Sequence, residues 1–75
     1  MDFGELVREA LGEQSPRQAG RRCGLSHTLI AEMLHGHVPQ RKNLAQFADG
    51  LGLPEDLRGR LFRVAGYLDP AAAVA

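Results

Sequence analysis

Apolar residues recur along this chain at helical spacing, and no stretch alternates with the period of two that marks a half-buried strand. Phe3, Leu6, Val7, Ala10 and Leu11 form one stripe and predict a first helix over about residues 3–11. Gly12 follows and is expected to end it in a left-handed conformation. Ser15-Pro16 reads as a second start. Serine is a favoured N-cap, and proline is tolerated at the first helical position because its missing N–H had no partner there. Ala19 and Cys23 lie one turn apart on the inner side, and Gly24 stops this helix after two turns. Ser26 caps a third helix that runs to about His35, with Ile30, Met33 and Leu34 inward and Gly36 at its end.

A connector containing Pro39 leads to a fourth helix over about 41–50, with Leu44, Phe47, Ala48 and Leu51 at apolar spacing and Gly50 and Gly52 as terminators. Leu53-Pro54 restarts the chain. Glu55 and Asp56 suit the positive end of a fifth helix, whose stripe of Leu57, Leu61, Val64, Ala65 and Leu68 carries it to about Leu68. All four prolines fall at element boundaries, which makes the five-helix reading self-consistent. The expected organisation is one all-α domain over residues 1–69 and a short Ala-rich tail over 70–75.

A chain of 75 residues has room for one small domain. Its 44% apolar content supports a core, and with 5% aromatics and no tryptophan that core must be aliphatic. No apolar run is long enough to span a bilayer, and the acidic, amphipathic start is not a signal or transit peptide. A single cysteine excludes an internal disulfide and fits a reducing, cytoplasmic compartment. There is no phosphate-cradling glycine loop, no nucleophile elbow and no convergent acid pair, so an enzyme is not expected.

The informative segment is 15–36, SPRQAGRRCGLSHTLIAEMLHG. Two short helices joined by a tight turn must cross steeply, which needs small residues at the crossing; Ala19 and Gly20 supply them. Gly24 supplies the positive φ of the turn, and Leu25 and Ile30 fasten the second helix of the pair. These are the steric requirements of a helix-turn-helix, whose second helix lies in the DNA major groove.

On those residues the chain resembles the Cro/repressor-type helix-turn-helix family (Xre-like, lambda repressor-like) over about residues 5–68. The matching features are the small residue at Gly20, Gly24, the aliphatic Ile30, a short basic connector after Gly36, and the following NLAQFADGLGL and LPEDLRGRLFRVAGYLDP. The resemblance implies a compact five-helix, lambda-repressor-like domain. It implies a sequence-specific double-stranded DNA-binding protein, a repressor-like transcriptional regulator of bacterial or phage type. It also implies a homodimer on an inverted-repeat operator, found in the cytoplasm and at the nucleoid. Two departures stand out. Pro16 replaces a glutamine that commonly touches phosphate. Ala19 and Gly20 stand where the family has leucine and alanine, and predict a looser contact between the two helices.

Charge supports the transfer. Nine basic and nine acidic residues cancel overall, yet residues 16–42 hold five basic residues and one acid, net +4. Residues 1–15 are net −3 and residues 43–75 net −1. Such polarity orients a neutral protein on a polyanion. His27, Thr28, Ala31 and Glu32 lie opposite Ile30, Met33 and Leu34 on the third helix and are the candidate base readers. Thr28 suits a base edge or thymine methyl, His27 suits guanine, and Glu32 suits cytosine N4. Arg17, Arg21, Arg22, Arg41 and Lys42 are candidate phosphate contacts, with Ser15, Ser26 and Asn43 at or near helix N-termini and His35 and His37 beside Gly36.

Plainer readings stand beside these. The arginines of the second helix also suit a solvated face, and Glu32 an ordinary surface residue. Leu29 fits a core edge, a thymine contact or a partner surface. The spacing of Cys23, His27, His35 and His37 is not a standard zinc pattern, so no metal is expected, and neither a cofactor nor a small-molecule ligand is evident. Phe62 and Tyr67 suit a dimer surface or, equally for Phe62, core packing. The alternative function is a protein-interaction module on the same scaffold, docking a transcription component or another repressor.

Overall fold

The computed structural model describes residues 2–69. Five helices follow in order: α1 (Phe3–Leu11), α2 (Pro16–Cys23), α3 (His27–Leu34), α4 (Arg41–Leu51) and α5 (Glu55–Ala65), with no strand among the described residues. The first three begin under side-chain caps. The Asp2 carboxylate accepts from the Glu5 amide, Ser15 Oγ from that of Gln18 and Ser26 Oγ from that of Leu29. Gln40 and Pro54, which precede α4 and α5, make no side-chain cap.

The predicted stripes converge on one interior. Leu6, Val7, Ile30, Met33, Leu44, Phe47, Leu61 and Phe62 are its largest fully buried side chains, so phenylalanines join the core where a wholly aliphatic one was expected. Burying each is worth about 1.5–3 kcal/mol relative to exposure. The helix pair α2–α3 rests on this core through Ala19, Cys23, Ile30 and Met33, with α4 against α2 and α1 bridging α3 and α5. No side-chain nitrogen or oxygen buried among the described residues lacks a hydrogen-bond partner.

The structure corrects several expectations. The fifth helix ends at Ala65, not near Leu68, because Gly66 turns left-handed at φ 82 and the Tyr67 amide closes onto Phe62 O at 2.9 Å. Its buried stripe is also rotated. Phe62 fills the interior, whereas Val64 and Leu68 are 47% and 78% exposed. Gly50 does not terminate α4. It lies inside that helix, where a Cβ would sit 2.6 Å from Cys23 Cα. Gly12 has positive φ, but with ψ −123 it is not left-handed helical.

A further correction concerns the α2–α3 crossing. A Cβ on Gly20 would fall 2.6 Å from Leu25 O and 3.4 Å from His27 N. The absence of a side chain therefore lets the turn close against α2, and the contact is tight where a loose one was expected. Gly4 plays the same part between α1 and α3, where a Cβ would meet Leu34 O at 2.6 Å.

Candidate nucleic-acid interface

The α2–α3 unit is assembled from local devices. Pro16 occupies the first turn of α2, and Ser15 and Gln18 exchange bonds in a capping box, Ser15 N–H donating to Gln18 Oε1 at 2.8 Å. Gly24 adopts φ 71, ψ 26, a conformation a β-carbon disfavours, and lets Leu25 N–H reach Gly20 O at 3.1 Å. Ser26 then starts α3 at once. The turn between the helices is thus fixed by backbone bonds at both ends.

Helix α3 is amphipathic in the expected sense. Ile30 and Met33 are buried, and His27, Thr28 and Glu32 are exposed, with Ala31 half-exposed between them. Leu29 is half-buried and packs against the core, which places it at the core edge. The four candidate base readers therefore share one open face of a helix that the core holds from behind.

The candidate phosphate contacts separate into groups. Arg17, Arg21, Ser26 and His27 line one open concavity at the α2–α3 turn, together with Gly20, Gly24 and Leu25. Arg41 and Lys42, at the start of α4, line a second groove against Cys23, Ala45, Gln46, Asp49 and Gly50. All four cations are exposed. Arg22 is exposed but engaged: its guanidinium donates to Gln14 Oε1 at 3.0 Å and to Leu51 O at 3.4 Å, binding α2 to the end of α4. The hydroxyls of Ser15 and Ser26 accept as N-caps. Asn43 is half-buried. His37 is exposed, and so is His35, whose Nδ1 sits 2.8 Å from Ala31 O. A proton on Nδ1 donates there and leaves Nε2 for an outside partner.

Cys23 faces inward, its thiol donating to Phe47 O at 3.5 Å, while the three histidines are exposed. Burial pushes the Cys23 thiol upward in pKa, opposed by the nearby charge of Arg22. Burial thus keeps Cys23 a neutral thiol among apolar neighbours.

Two contributors escaped the sequence reading. Gln46 donates from α4 to Cys23 O at 2.7 Å and to Gly24 O at 3.2 Å, closing the carbonyl end of α2. The available signal was its position one turn before Gly50, on the face of α4 that meets Cys23. Tyr67 donates its hydroxyl to Pro39 O at 2.8 Å, in the connector before α4. Nothing in the local sequence marks that pairing.

Glu32 stands on the open face of α3 and Asp49 in the groove of Arg41 and Lys42, whereas the four N-terminal acids lie elsewhere. Asp2, Glu5, Glu9 and Glu13 are exposed on and around α1, which packs on α3 and α5 rather than on α2. Among the described residues, no helix is long and apolar enough to cross a membrane.

No curated protein and no solved structure matches the chain. A family model does, that of the helix-turn-helix domain, and it covers residues 5–61, from the first turn of α1 into α5. With five helices, no strand among the described residues and the α2–α3 pair at its centre, the chain belongs to that DNA-binding helix-turn-helix family and has the all-α, lambda-repressor-like fold.

Proposed function

We propose that the protein is a sequence-specific regulator of transcription, repressor-like and of bacterial or phage type, that binds double-stranded DNA with α3 in the major groove. One observation carries this reading. The exposed face of α3 carries His27, Thr28, Ala31 and Glu32; the exposed Arg17 and Arg21 of α2 line a concavity with His27, and the exposed Arg41 and Lys42 of α4 line a groove against Cys23 at the end of α2. Together they supply a base-reading element and two groups of phosphate-binding cations on the helix-turn-helix unit and the helix packed on it. Arg22 joins them once its bonds to Gln14 and Leu51 yield to a phosphate. Ser15, Ser26, Asn43, His35 and His37 complete the backbone contacts. Residues 1–69 form the binding unit, which acts at the nucleoid in the cytoplasm.

The dimer implied by the family would use the exposed apolar residues at the C-terminal end, Val64 and Leu68. Phe62 is buried and Tyr67 bonded to Pro39, so neither is the natural choice.

Selection from a randomised duplex library at moderate salt tests the reading. An enriched inverted repeat with half-sites one turn apart supports a dimeric operator-binding regulator. A bound pool that stays random, from folded protein, overturns it in favour of a protein-docking module, for which Glu32 on the open face of α3 is the motivating feature. Affinity should fall with salt at a log–log slope of about −0.9 per phosphate contacted. Replacing Arg41 and Lys42 with alanine should flatten that slope.

A further inference from the structure

The DNA contacts of that reading employ α2, α3 and the start of α4, and none of them comes from the chain after α5. Yet residues 66–69 are fastened at several points. Gly66 N–H bonds Arg63 O at 3.1 Å, and Tyr67 N–H bonds Phe62 O at 2.9 Å, the paired closure of a Schellman turn. Tyr67, half-buried, then reaches Pro39 O with its hydroxyl at 2.8 Å. Two residues on, Asp69 accepts from Arg58 Nε at 2.8 Å, with only 12% and 14% of the two side chains exposed. Arg58 also pairs with Asp49 near the end of α4 and lies over the Phe62 ring at 5.5 Å from its centroid. The four residues form a strap across the domain.

What the strap holds is the connector between α3 and α4. Pro39 has no N–H to donate and is buried, and Gln40 provides no side-chain cap for α4. Among the described residues, the Tyr67 hydroxyl is the side-chain donor that reaches the backbone of 36–40. Pro39 O lies one peptide before Gln40, whose carbonyl accepts the first bonds of α4 from Asn43 and Leu44 at 3.0 Å. Arg41 and Lys42 are the next two residues. The Pro39 carbonyl thus stands immediately before the residue from which that first turn is built.

We infer that Tyr67 is a positioning residue for the phosphate clamp at the start of α4: its hydroxyl fixes Pro39, and through it Gln40, Arg41 and Lys42, in register with the reading face of α3. The inference rests on the DNA-binding reading. The strap makes the spacing between base reader and clamp a property of the whole fold, because a residue beyond the fifth helix sets it.

Tyr67→Phe removes the hydroxyl and keeps the ring. The variant should remain folded, bind the selected operator roughly 2–10-fold more weakly at low salt, and show a shallower salt dependence. A double-mutant cycle isolates the route: in a chain already carrying Arg41→Ala and Lys42→Ala, Tyr67→Phe should cost no further affinity. The same loss in both backgrounds would mean a general structural role and overturn the inference. So would unchanged affinity and salt slope in Tyr67→Phe alone, with the DNA-binding reading left intact. A wild-type chain that binds no duplex would overturn both readings together.

Discussion

The side-chain amide of Gln46 donates at 2.7 Å to the carbonyl of Cys23, the last residue of α2. Helix α4 thereby supplies the C-terminal cap of α2, and the turn that aims α3 depends on a residue some twenty positions downstream. Gln46→Ala should destabilise the domain by about 1 kcal/mol. Gln46→Glu should cost more, about 1–3 kcal/mol, because a carboxylate can only accept and would face two carbonyls. Denaturant midpoints at unchanged m-value check both.

The glycines divide by what surrounds them. Gly20→Ala and Gly50→Ala each place a Cβ within 2.6 Å of backbone, Leu25 O and Cys23 Cα respectively. Each should cost about 1–3 kcal/mol, and Gly20→Ala should also disturb the aim of α3. Gly59, inside α5, meets nothing nearer than the flexible Arg63 side chain at 3.8 Å. Gly59→Ala should stabilise by about 0.5–1 kcal/mol. Thermal melts of the three variants read these opposite signs directly.

Local chemistry made most of this fold legible. The serine caps, the Pro16 start, the Gly24 turn and the stripes of α1, α3 and α4 follow from nearest-neighbour physics and stand where the pattern put them. The errors lie where a distant partner decides. Val64 fits the helical period as well as Phe62 does, and only the place of α5 against α1 leaves the valine outside. Arg58 looks like a solvent cation until Asp49 and Asp69 meet it, which raises its already high pKa, first through the hydrogen bond to Asp69. Gly50 looks like a helix stop until Cys23 lies across it. At the candidate interface, the exposed face of α3 was readable from periodicity. The tie of Arg22 to Leu51 O was not, because it joins residues 29 apart in the chain. The Ala-rich tail at 70–75 falls outside the described residues.

Phe62 and Leu68 separate core from surface. Phe62 is 1% exposed, so Phe62→Ala should lose about 3–5 kcal/mol and leave little folded protein at 37 °C. Leu68, 78% exposed, should tolerate Leu68→Ser within about 0.5 kcal/mol. If the C-terminal end forms the dimer, Leu68→Ser should shift sedimentation toward the monomer while the melt is preserved.

Cys23 gives a pH signature. Burial raises its thiol above the ordinary value of 9.0. The unfolded chain then ionises before the folded one, so the stability from the buried thiol is complete below pH 9 and declines above it, until the folded thiol ionises too. The stability gap between wild type and Cys23→Ala should therefore narrow in alkaline buffer. In native protein at neutral pH, alkylation of Cys23 should be slow, and unfolding should release it.

Helices α1, α2 and α3 start beneath a carboxylate or hydroxyl, whereas α4 starts at Gln40 with no such lid. Like those that open α5 after Pro54, the amides of Arg41 and Lys42 thus lack a side-chain partner and fray readily. A phosphate docking there would do the work of the missing cap, so recognition and the last increment of folding become one event. In hydrogen-exchange terms, those two amides should trade quickly in the free protein and slow sharply on operator binding. The amide of Leu29, already held by Ser26, should hardly change.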